Sequence, residues 1–456
     1  MESQVQALFE WLKFFKGFIA NIKGGGMQSV ESGDFWVSDE KSEPMDAWAA
    51  RPEDRQFVGL RPQKFIVVPP VGCPLDESLG VIASVRHISF ANCLSGDNDA
   101  SILIPPEFEE DPPVEVLKHI GVVLTDLSPE QASDLESRGY AVFENELCHV
   151  PPPISLEDVV GLGDFDPFSA GMSGSTWGIE AIGAHLCQYS GRGVKVAVLD
   201  TGCDPSHPDF SERIQRSNVM SFVTGENAVD KHGHGTHVCG IVAGPRYSAS
   251  GVRYGVAPDC ELLVVKVLAN SGSGYDSWIL KGMNWAADRG ADVINMSLGA
   301  PRKAGSPASA KYEALARSFL ENDIRSLVVA AAGNASSRPV TVAPVGNPAA
   351  CDSIMSIAAV GKEMTVASFS CGKVDQGVIN LSAPGVGILS SYRQGKFFSL
   401  NGTSMAAPHV AGVAALWAES DPALRGGDLW ERLIDSAVAL TAGGEADVGA
   451  GLVQAP

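Results

Sequence analysis

The sequence predicts an α/β protein with a parallel sheet covered by helices on both faces, preceded by a small α+β domain. The chain has 456 residues, which is too long for one typical domain and long enough for two. In its second half, short apolar runs alternate with segments of helical pattern, as in parallel strands joined by helices. A shorter set of strands and one acidic helix precedes this repeat.

The parallel sheet is predicted from runs that are apolar throughout, a pattern typical of strands buried on both faces. Its six expected strands are Val194–Leu199, Leu262–Leu268, Asp292–Ser297, Leu327–Ala332, Ile354–Val360 and Ile379–Leu381. The expected helices are 276–289, 309–322, 404–418 and 427–439. These elements define a main domain over residues 173–456.

The smaller domain is predicted over residues 60–153. Lys64–Pro69 and Gly121–Leu124 are expected to be strands, and Tyr140–Val150 is expected to be the last one. Ser128–Arg138 is expected to be an acidic helix, because its Ser-Pro-Glu start is a capping sequence. A strand, a helix and a strand therefore stand ahead of the main domain.

Two further segments are predicted to be peripheral. Residues 1–59 are expected to form an amphipathic helix and an acidic linker, with the helix docked on protein. Attachment of residues 5–23 to a membrane surface is the less favoured alternative, because the polar face carries only a few lysines. Three prolines end the smaller domain, and 154–172 is expected to be a second linker.

The charge distribution excludes one class of partner. The net charge is −21, and residues 1–165 contribute −17 of it through 28 acidic and 11 basic side chains. A protein that binds nucleic acid needs a basic surface, so none is expected as a partner. No run of 18 apolar residues occurs, so no transmembrane helix is expected.

Cysteine usage predicts the compartment. The chain has nine cysteines, an odd number without a C-x-x-C pair, which favours reduced thiols. The first residues lack the basic start and the cleavage site of a secretion signal. We therefore expect a cytoplasmic protein, with secretion by a non-standard route as the alternative.

Three motifs carry an acid, a base and a nucleophile in the order Asp, His, Ser. Asp200 ends a predicted strand in Val-Leu-Asp-Thr-Gly, His234 opens His-Gly-Thr-His, and Ser404 lies in Gly-Thr-Ser-Met-Ala-Ala-Pro before a buried helix. A serine hydroxyl becomes nucleophilic when a neutral imidazole takes its proton, and that imidazole needs an anion behind it. Asp200, His234 and Ser404 are therefore the predicted catalytic residues.

These motifs and their order resemble those of the subtilisin-like serine peptidases, the subtilases. The resemblance covers residues 173–456 and implies an endopeptidase that cleaves polypeptides through an acyl-enzyme intermediate. It implies that Asn334 and the backbone N–H of Ser404 form the oxyanion hole. It also implies two segments that pair with the substrate backbone, namely Ser271, Gly272, Ser273 and Gly274, and Ser297, Leu298 and Gly299.

By pattern and position, the smaller domain resembles a subtilase prosegment. This resemblance implies an autoinhibited zymogen in which the N-terminal domain is the intramolecular inhibitor. Two other functions stay open, a processing protease of narrow specificity and a non-catalytic peptide-binding protein on the same scaffold. An intact set of four catalytic residues argues against the non-catalytic alternative.

The resemblance also bears on the interpretation of three more residues. The chemistry requires no cofactor, but Asp209 matches a common calcium ligand of the family, so the resemblance implies a structural calcium ion there, with a turn-capping role for Asp209 as the alternative. The loop from Pro245 to Gly255 carries no Asn, Asp or Glu that would complete the site. Cys203 and Cys239 stand where relatives carry aliphatic residues or alanine; buried packing is expected, with sensitivity to thiol reagents as the alternative.

Overall fold

The computed structural model describes residues 63–70, 73–86, 101–104, 114–117, 121–150, 174–211, 213–321, 325–441 and 443–456. The predictions for residues 1–59 and 154–172 lie outside these ranges. Within them, none of the helices has the length and apolar character needed to span a membrane.

The described residues between 65 and 149 contain six strands, five of them in one antiparallel sheet, and two helices. The strands are β1 (Phe65–Val68), β2 (Ser101–Ile104), β3 (Val114–Leu117), β4 (Val122–Thr125), β5 (Ala141–Glu144) and β6 (Leu147–His149). The helices are α1 (Leu75–Arg86) and α2 (Pro129–Ser137). The five strands of the sheet are ordered β2-β3-β4-β1-β5, and β6 lies outside it. We call residues 65–144 the front sheet unit and residues 145–150 the tail.

The local sequence explains why each helix of the front sheet unit forms. Helix α2 begins with a capping box in which Ser128 accepts from the Gln131 N–H and the Gln131 side chain accepts from the Ser128 N–H. Helix α1 was not predicted, although Leu79 and Ile82 pack on the sheet at helical spacing. The single strand predicted over Tyr140–Val150 is wrong, because β5 pairs with β1 whereas β6 leaves the sheet.

Residues 174–456 contain the parallel sheet. The strands are β7 (Gly174–Ser175), β8 (Lys195–Asp200), β9 (Val219–Ser221), β10 (Val252–Arg253), β11 (Glu261–Lys266), β12 (Ser273–Tyr275), β13 (Val293–Met296), β14 (Leu327–Ala331), β15 (Met355–Val360), β16 (Leu381–Pro384), β17 (Ile388–Tyr392) and β18 (Lys396–Leu400). Seven of them form the sheet in the order β16-β15-β14-β13-β8-β11-β9, and every neighbouring pair is parallel.

The helices of this part are α3 (Trp177–Ala181), α4 (His234–Ala243), α5 (Asp276–Asp288), α6 (Ala310–Glu321), α7 (Thr403–Ser420), α8 (Gly427–Asp435) and α9 (Glu445–Val448). The predicted α/β class is confirmed, with most limits shifted by one to three residues. One limit is wrong by more, because α8 ends at Asp435 rather than at 439.

Alternate strand residues face two separate cores, because successive side chains of a strand point to opposite faces. On β8, Val196 and Val198 pack with α4 and α7, whereas Ala197 and Leu199 pack with α5 and α6. The second core also includes Ile66 and Leu124 of the front sheet unit. This unit therefore covers α5 and α6 with one face of its sheet and carries α1 and α2 on the other.

Candidate active site

Asp200 and His234 are in direct contact. Asp200 is the last residue of β8, and His234 is the first residue of α4. The Nδ1 atom of His234 lies 2.8 and 2.9 Å from the two carboxylate oxygens of Asp200, which is fully buried. The carboxylate also accepts the Thr201 N–H at 2.7 Å. The imidazole is thereby held with Nδ1 toward the acid and Nε2 away from it.

A second buried carboxylate, Asp230, holds the start of α4. Its Oδ1 atom accepts from the backbone N–H groups of His232 and Gly233, and its Oδ2 atom accepts from the N–H and hydroxyl of Thr236. The Thr201 hydroxyl also donates to Oδ1, at 2.9 Å. Asp230 thus satisfies donors at the helix N-terminus, as a capping residue does. Asp230 was not among the predicted residues, and the available signal was an Asp four residues before the His-Gly-Thr-His motif.

Ser404 lies in the first turn of α7, where free backbone N–H groups and the helix dipole favour negative charge. Its hydroxyl donates to Ser297 O at 3.2 Å, and no hydrogen bond joins it to His234. In return, the Ser297 hydroxyl donates to Ser404 O at 2.8 Å and accepts from the Asn295 side chain at 3.0 Å. The carboxyl end of β13 therefore fixes the position of the serine.

Asn334 follows β14 and is oriented by the residue before Ser404. Its Oδ1 atom accepts the Thr403 N–H at 3.0 Å and the Thr403 hydroxyl at 2.8 Å. Among the described residues, none accepts from its Nδ2 atom, which lies 3.2 Å from the position that a side chain on Gly402 would take. The amide donor of Asn334 therefore points toward the turn that carries Ser404.

The second histidine of the His-Gly-Thr-His motif is structural. His237 Nε2 lies 3.0 Å from the carbonyl oxygens of Ile388 and Phe398, so it links α4 to the β17–β18 hairpin. Burial lowers the pKa of His237 to about 3, and the ring is neutral at physiological pH. Cys203 and Cys239 are fully buried nearby, and burial raises the pKa of Cys239 well above its usual value.

The chain's own tail lies between the two segments predicted to pair with substrate. Strand β6 pairs antiparallel with β12, and the Val150 N–H donates to Gly272 O at 2.8 Å. On the other side, the N–H groups of His149 and Gly299 donate to each other's carbonyl oxygens at 3.2 and 3.1 Å. The tail is thus the middle strand of a three-stranded arrangement that leads toward Ser297.

A pocket of about 260 Å³ opens beside the end of the tail. Leu298, Gly299 and Ala300 line one wall, and Gly333, Asn334 and Cys371 are among the residues that line the rest. Among the described residues that line it, none is Asp, Glu, Lys or Arg. Its chemistry suits an apolar side chain of substantial size.

The carboxylate of Asp209 accepts hydrogen bonds from the loop that follows α4. One carboxylate oxygen accepts the Ala249 N–H at 2.8 Å, and the other accepts the hydroxyls of Ser248 at 2.7 Å and Tyr254 at 2.5 Å. Oδ2 therefore accepts two hydrogen bonds and Oδ1 accepts one, so the carboxylate holds this loop as a turn-capping residue does. The described ranges also contain no cluster of three or more His, Cys, Asp or Glu side chains that could hold a metal.

Comparison with known proteins decides the family. Residues 191–451 match the model of the subtilase family, Peptidase S8, and this range includes Asp200, His234, Asn334 and Ser404. The chain belongs to the subtilases. Subtilases are serine peptidases, so the enzyme is a subtilisin-like serine endopeptidase and its substrates are polypeptides.

Individual relatives agree with this assignment. Subtilisin DY of Bacillus licheniformis is 41% identical to this subtilase over 268 residues, which cover 58% of this chain and 92% of that protein. M-protease of Shouchella clausii is 36% identical over 371 residues, covering 80% and 86% of the two chains. The solved structure titled S41 Psychrophilic Protease is 31% identical, with a TM-score of 0.54 over 62% of this chain and 99% of that one.

Proposed function

We propose that this subtilase cleaves peptide bonds with Ser404 as nucleophile, His234 as general base and Asp200 as the residue that orients and stabilises the imidazolium. The contact between His234 Nδ1 and Asp200 carries the proposal, because it turns Nε2 away from the acid and makes it available to accept a proton. The Ser404 hydroxyl turns from Ser297 O to Nε2 as it attacks. No cofactor takes part in these steps.

We propose that Asn334 Nδ2 and the backbone N–H of Ser404 stabilise the oxyanion. The contacts of Asn334 Oδ1 with Thr403 support this role, because they fix the amide with its donor toward the reacting centre. A donor fixed in advance needs no reorganisation when charge develops on the substrate oxygen.

The test of the nucleophile is covalent labelling of the processed full chain with a fluorophosphonate. Ser404→Ala should abolish labelling and lower peptide hydrolysis by several orders of magnitude, because no other residue forms the acyl-enzyme. Ser420→Ala, at the other end of α7, is the matched control and should label as the wild type does. Undiminished labelling of Ser404→Ala would refute the assignment.

We further propose that residues 60–153 are a prosegment that keeps the enzyme latent. The backbone pairing of the tail with β12 and Gly299 supports this, because a substrate strand would need the same partners. The M-protease alignment, which is longer than the family match, supports a related front domain. Consecutive prolines at 151–153 lack the N–H groups that continued pairing requires.

The prosegment proposal is tested by sequencing the new N-terminus after maturation of the full chain. Self-cleavage is expected within Ile154–Ser175, beyond the prolines, and residues 60–153 should then co-elute with the catalytic part and inhibit it. A mature N-terminus upstream of residue 150, or full activity while the fragment stays bound, would contradict the proposal. A cleavage profile on a peptide library then separates a broad endopeptidase from a processing protease.

We also propose a reducing, cytoplasmic location. Eight cysteines of the described part of the chain are free, which supports it. Thiol titration of the freshly isolated, unfolded protein should find all nine thiols. A substantial disulfide content would contradict the proposal.

A further inference from the structure

Asp276 is a buried carboxylate at the junction of the tail, β12 and α6. It is the first residue of α5 and is 2% exposed. Its Oδ1 atom accepts from the Tyr312 hydroxyl at 2.6 Å and from the Cys148 thiol at 3.1 Å. Its Oδ2 atom accepts the Glu146 N–H at 3.3 Å and forms an ion pair with Lys311.

Only two of these four donors belong to the catalytic part. Tyr312 and Lys311 come from α6, whereas the Cys148 thiol and the Glu146 N–H come from the tail. Lys311 is itself 5% exposed and balances the charge of Asp276, which makes burial of the carboxylate tolerable. When another polypeptide replaces the tail, Asp276 keeps its charge partner but has to find its remaining donors on that polypeptide.

The register of the tail shows which side chain reaches this carboxylate. Cys148 lies opposite Gly274 of β12, and its side chain points inward, whereas the neighbouring side chains of Leu147 and His149 are exposed. Side chains alternate along a strand, so each position of a bound peptide meets its own surroundings. Whatever residue takes the place of Cys148 in this register meets Asp276 and Tyr312.

The chemistry at this position requires a donor. Burial, with the nearby charge of Asp276 as the next cause, raises the pKa of both the Cys148 thiol and the Tyr312 phenol, so both groups stay protonated. A hydroxyl or thiol donates to Oδ1, whereas an aliphatic side chain would press against a desolvated carboxylate without giving it a hydrogen bond. A buried charged acceptor that loses a donor is destabilised.

We propose that Asp276 and Tyr312 form a polar specificity site of the substrate cleft, which selects polypeptides with a small hydrogen-bond donor, Ser, Thr or Cys, at the position of Cys148. The inference rests on the proposed function, because it assigns to substrates the register that the tail adopts. Selection against an aliphatic residue follows from the buried carboxylate, and its size is about tenfold in kcat/KM for a change of one hydrogen bond.

The first experiment measures amide hydrogen exchange of residues 146–150 in the inactive full chain Ser404→Ala. Cys148→Ser, which keeps a donor, should preserve the protection of the tail. Cys148→Ala, which removes the donor without adding bulk, should raise the local exchange rate about tenfold. Equal exchange in the two variants would overturn the inference, and this result does not depend on whether the chain cleaves peptides.

The second experiment uses the processed full chain and peptides of the form acetyl-X-His-Val-Leu with a reporter on the C-terminal side. The ratio of kcat/KM for X = Ser to that for X = Val should be about ten or more. Tyr312→Phe takes one donor from Asp276 Oδ1, so a donor on the substrate matters more and this ratio should rise. Asp276→Leu removes the acceptor, so the ratio should reverse. The ratio is measured separately for each enzyme. Tyr312→Phe removes a single hydroxyl and keeps the test available if the Asp276 variant does not fold.

The two experiments separate the possible failures. If the wild-type enzyme cleaves the two peptides equally well, the specificity site is refuted and the peptidase proposal stands. If no peptide is cleaved and no fluorophosphonate label is taken up, the proposed function is refuted, while the exchange experiment still decides whether Asp276 requires a donor at position 148.

Discussion

Replacing Asp230 with asparagine should lower both the stability of the fold and the turnover of the enzyme. The oxygens of Asp230 accept five hydrogen bonds, from three backbone N–H groups and two threonine hydroxyls, around the start of α4. Asparagine has the same shape but replaces one acceptor oxygen with an NH₂ group that can only donate. In either orientation of the amide, at least one buried N–H loses its acceptor.

The size of the effect follows from these contacts. A buried N–H without a partner costs about 1–3 kcal/mol, so the free energy of unfolding should fall by that amount. Thr236, whose N–H and hydroxyl both bond Oδ2, is two residues from His234, so a shift of this turn also moves the base. A misplaced base lowers kcat by roughly 10-fold to 100-fold. KM should change little, because the proposed substrate-pairing segments, β12 and Gly299, make no hydrogen bond to Asp230 among those of the described residues.

The assay has two parts. Urea unfolding of Asp230→Asn in the Ser404→Ala background gives the change in stability without self-digestion. Peptide hydrolysis by the active variant, at a temperature where it is fully folded, gives kcat and KM separately. Asp352→Asn, an exposed change elsewhere in the chain, is the matched control. An Asp230→Asn enzyme with wild-type stability and wild-type kcat would refute the view that these hydrogen bonds position His234.

Three further predictions test the oxyanion donor, the thiols and the buried imidazole. Asn334→Leu should lower kcat by about 10²–10³-fold at nearly constant KM, which is the effect of removing such a donor from a subtilisin. A large rise in KM at constant kcat would contradict the proposed role of Asn334. A mercurial should inhibit the enzyme slowly because Cys203 and Cys239 are fully buried, and reductant or the double change to alanine should remove the inhibition. For His237 the folded-state pKa, about 3, lies below the unfolded value of 6.5, so the unfolded chain binds an extra proton between these values. The stability of the Ser404→Ala protein should therefore fall as pH drops from about 6.5 toward 3, and His237→Gln should reduce that slope by about one proton.

The catalytic candidates were predictable because their signals are local. Asp200 ends a continuous apolar strand, and Ser404 precedes a continuous apolar helix, so each position follows from its own neighbours. Asp230 was not predicted, although four of its five donors lie within six residues of it. The expected helices did not include one at His234, so nothing marked those groups as needing an acceptor. The hydrogen bonds of Asp209 could not be predicted from its neighbours, since the Tyr254 hydroxyl that donates to its carboxylate lies 45 residues farther along the chain.

The hydrogen bonds of Asp276 could not be predicted from the sequence. Its donors lie 36 residues downstream, at Tyr312, and 128 residues upstream, at Cys148. Nothing in the local pattern of either segment distinguishes a residue that donates to a buried carboxylate from an ordinary core residue. Only the pairing of the tail with β12 brings them together.

The apolar core that the front sheet unit shares with α5 and α6 bears on the proposed latency, which should depend on dilution. While the chain is intact, the tail and the cleft are held at a high effective concentration by their covalent connection. One cut between them turns this intramolecular contact into a bimolecular one, whose occupancy follows the total protein concentration and a dissociation constant. The cleaved enzyme should then be inhibited in a concentrated solution and active in a dilute one. Cleavage alone would make activation possible, and dilution would complete it.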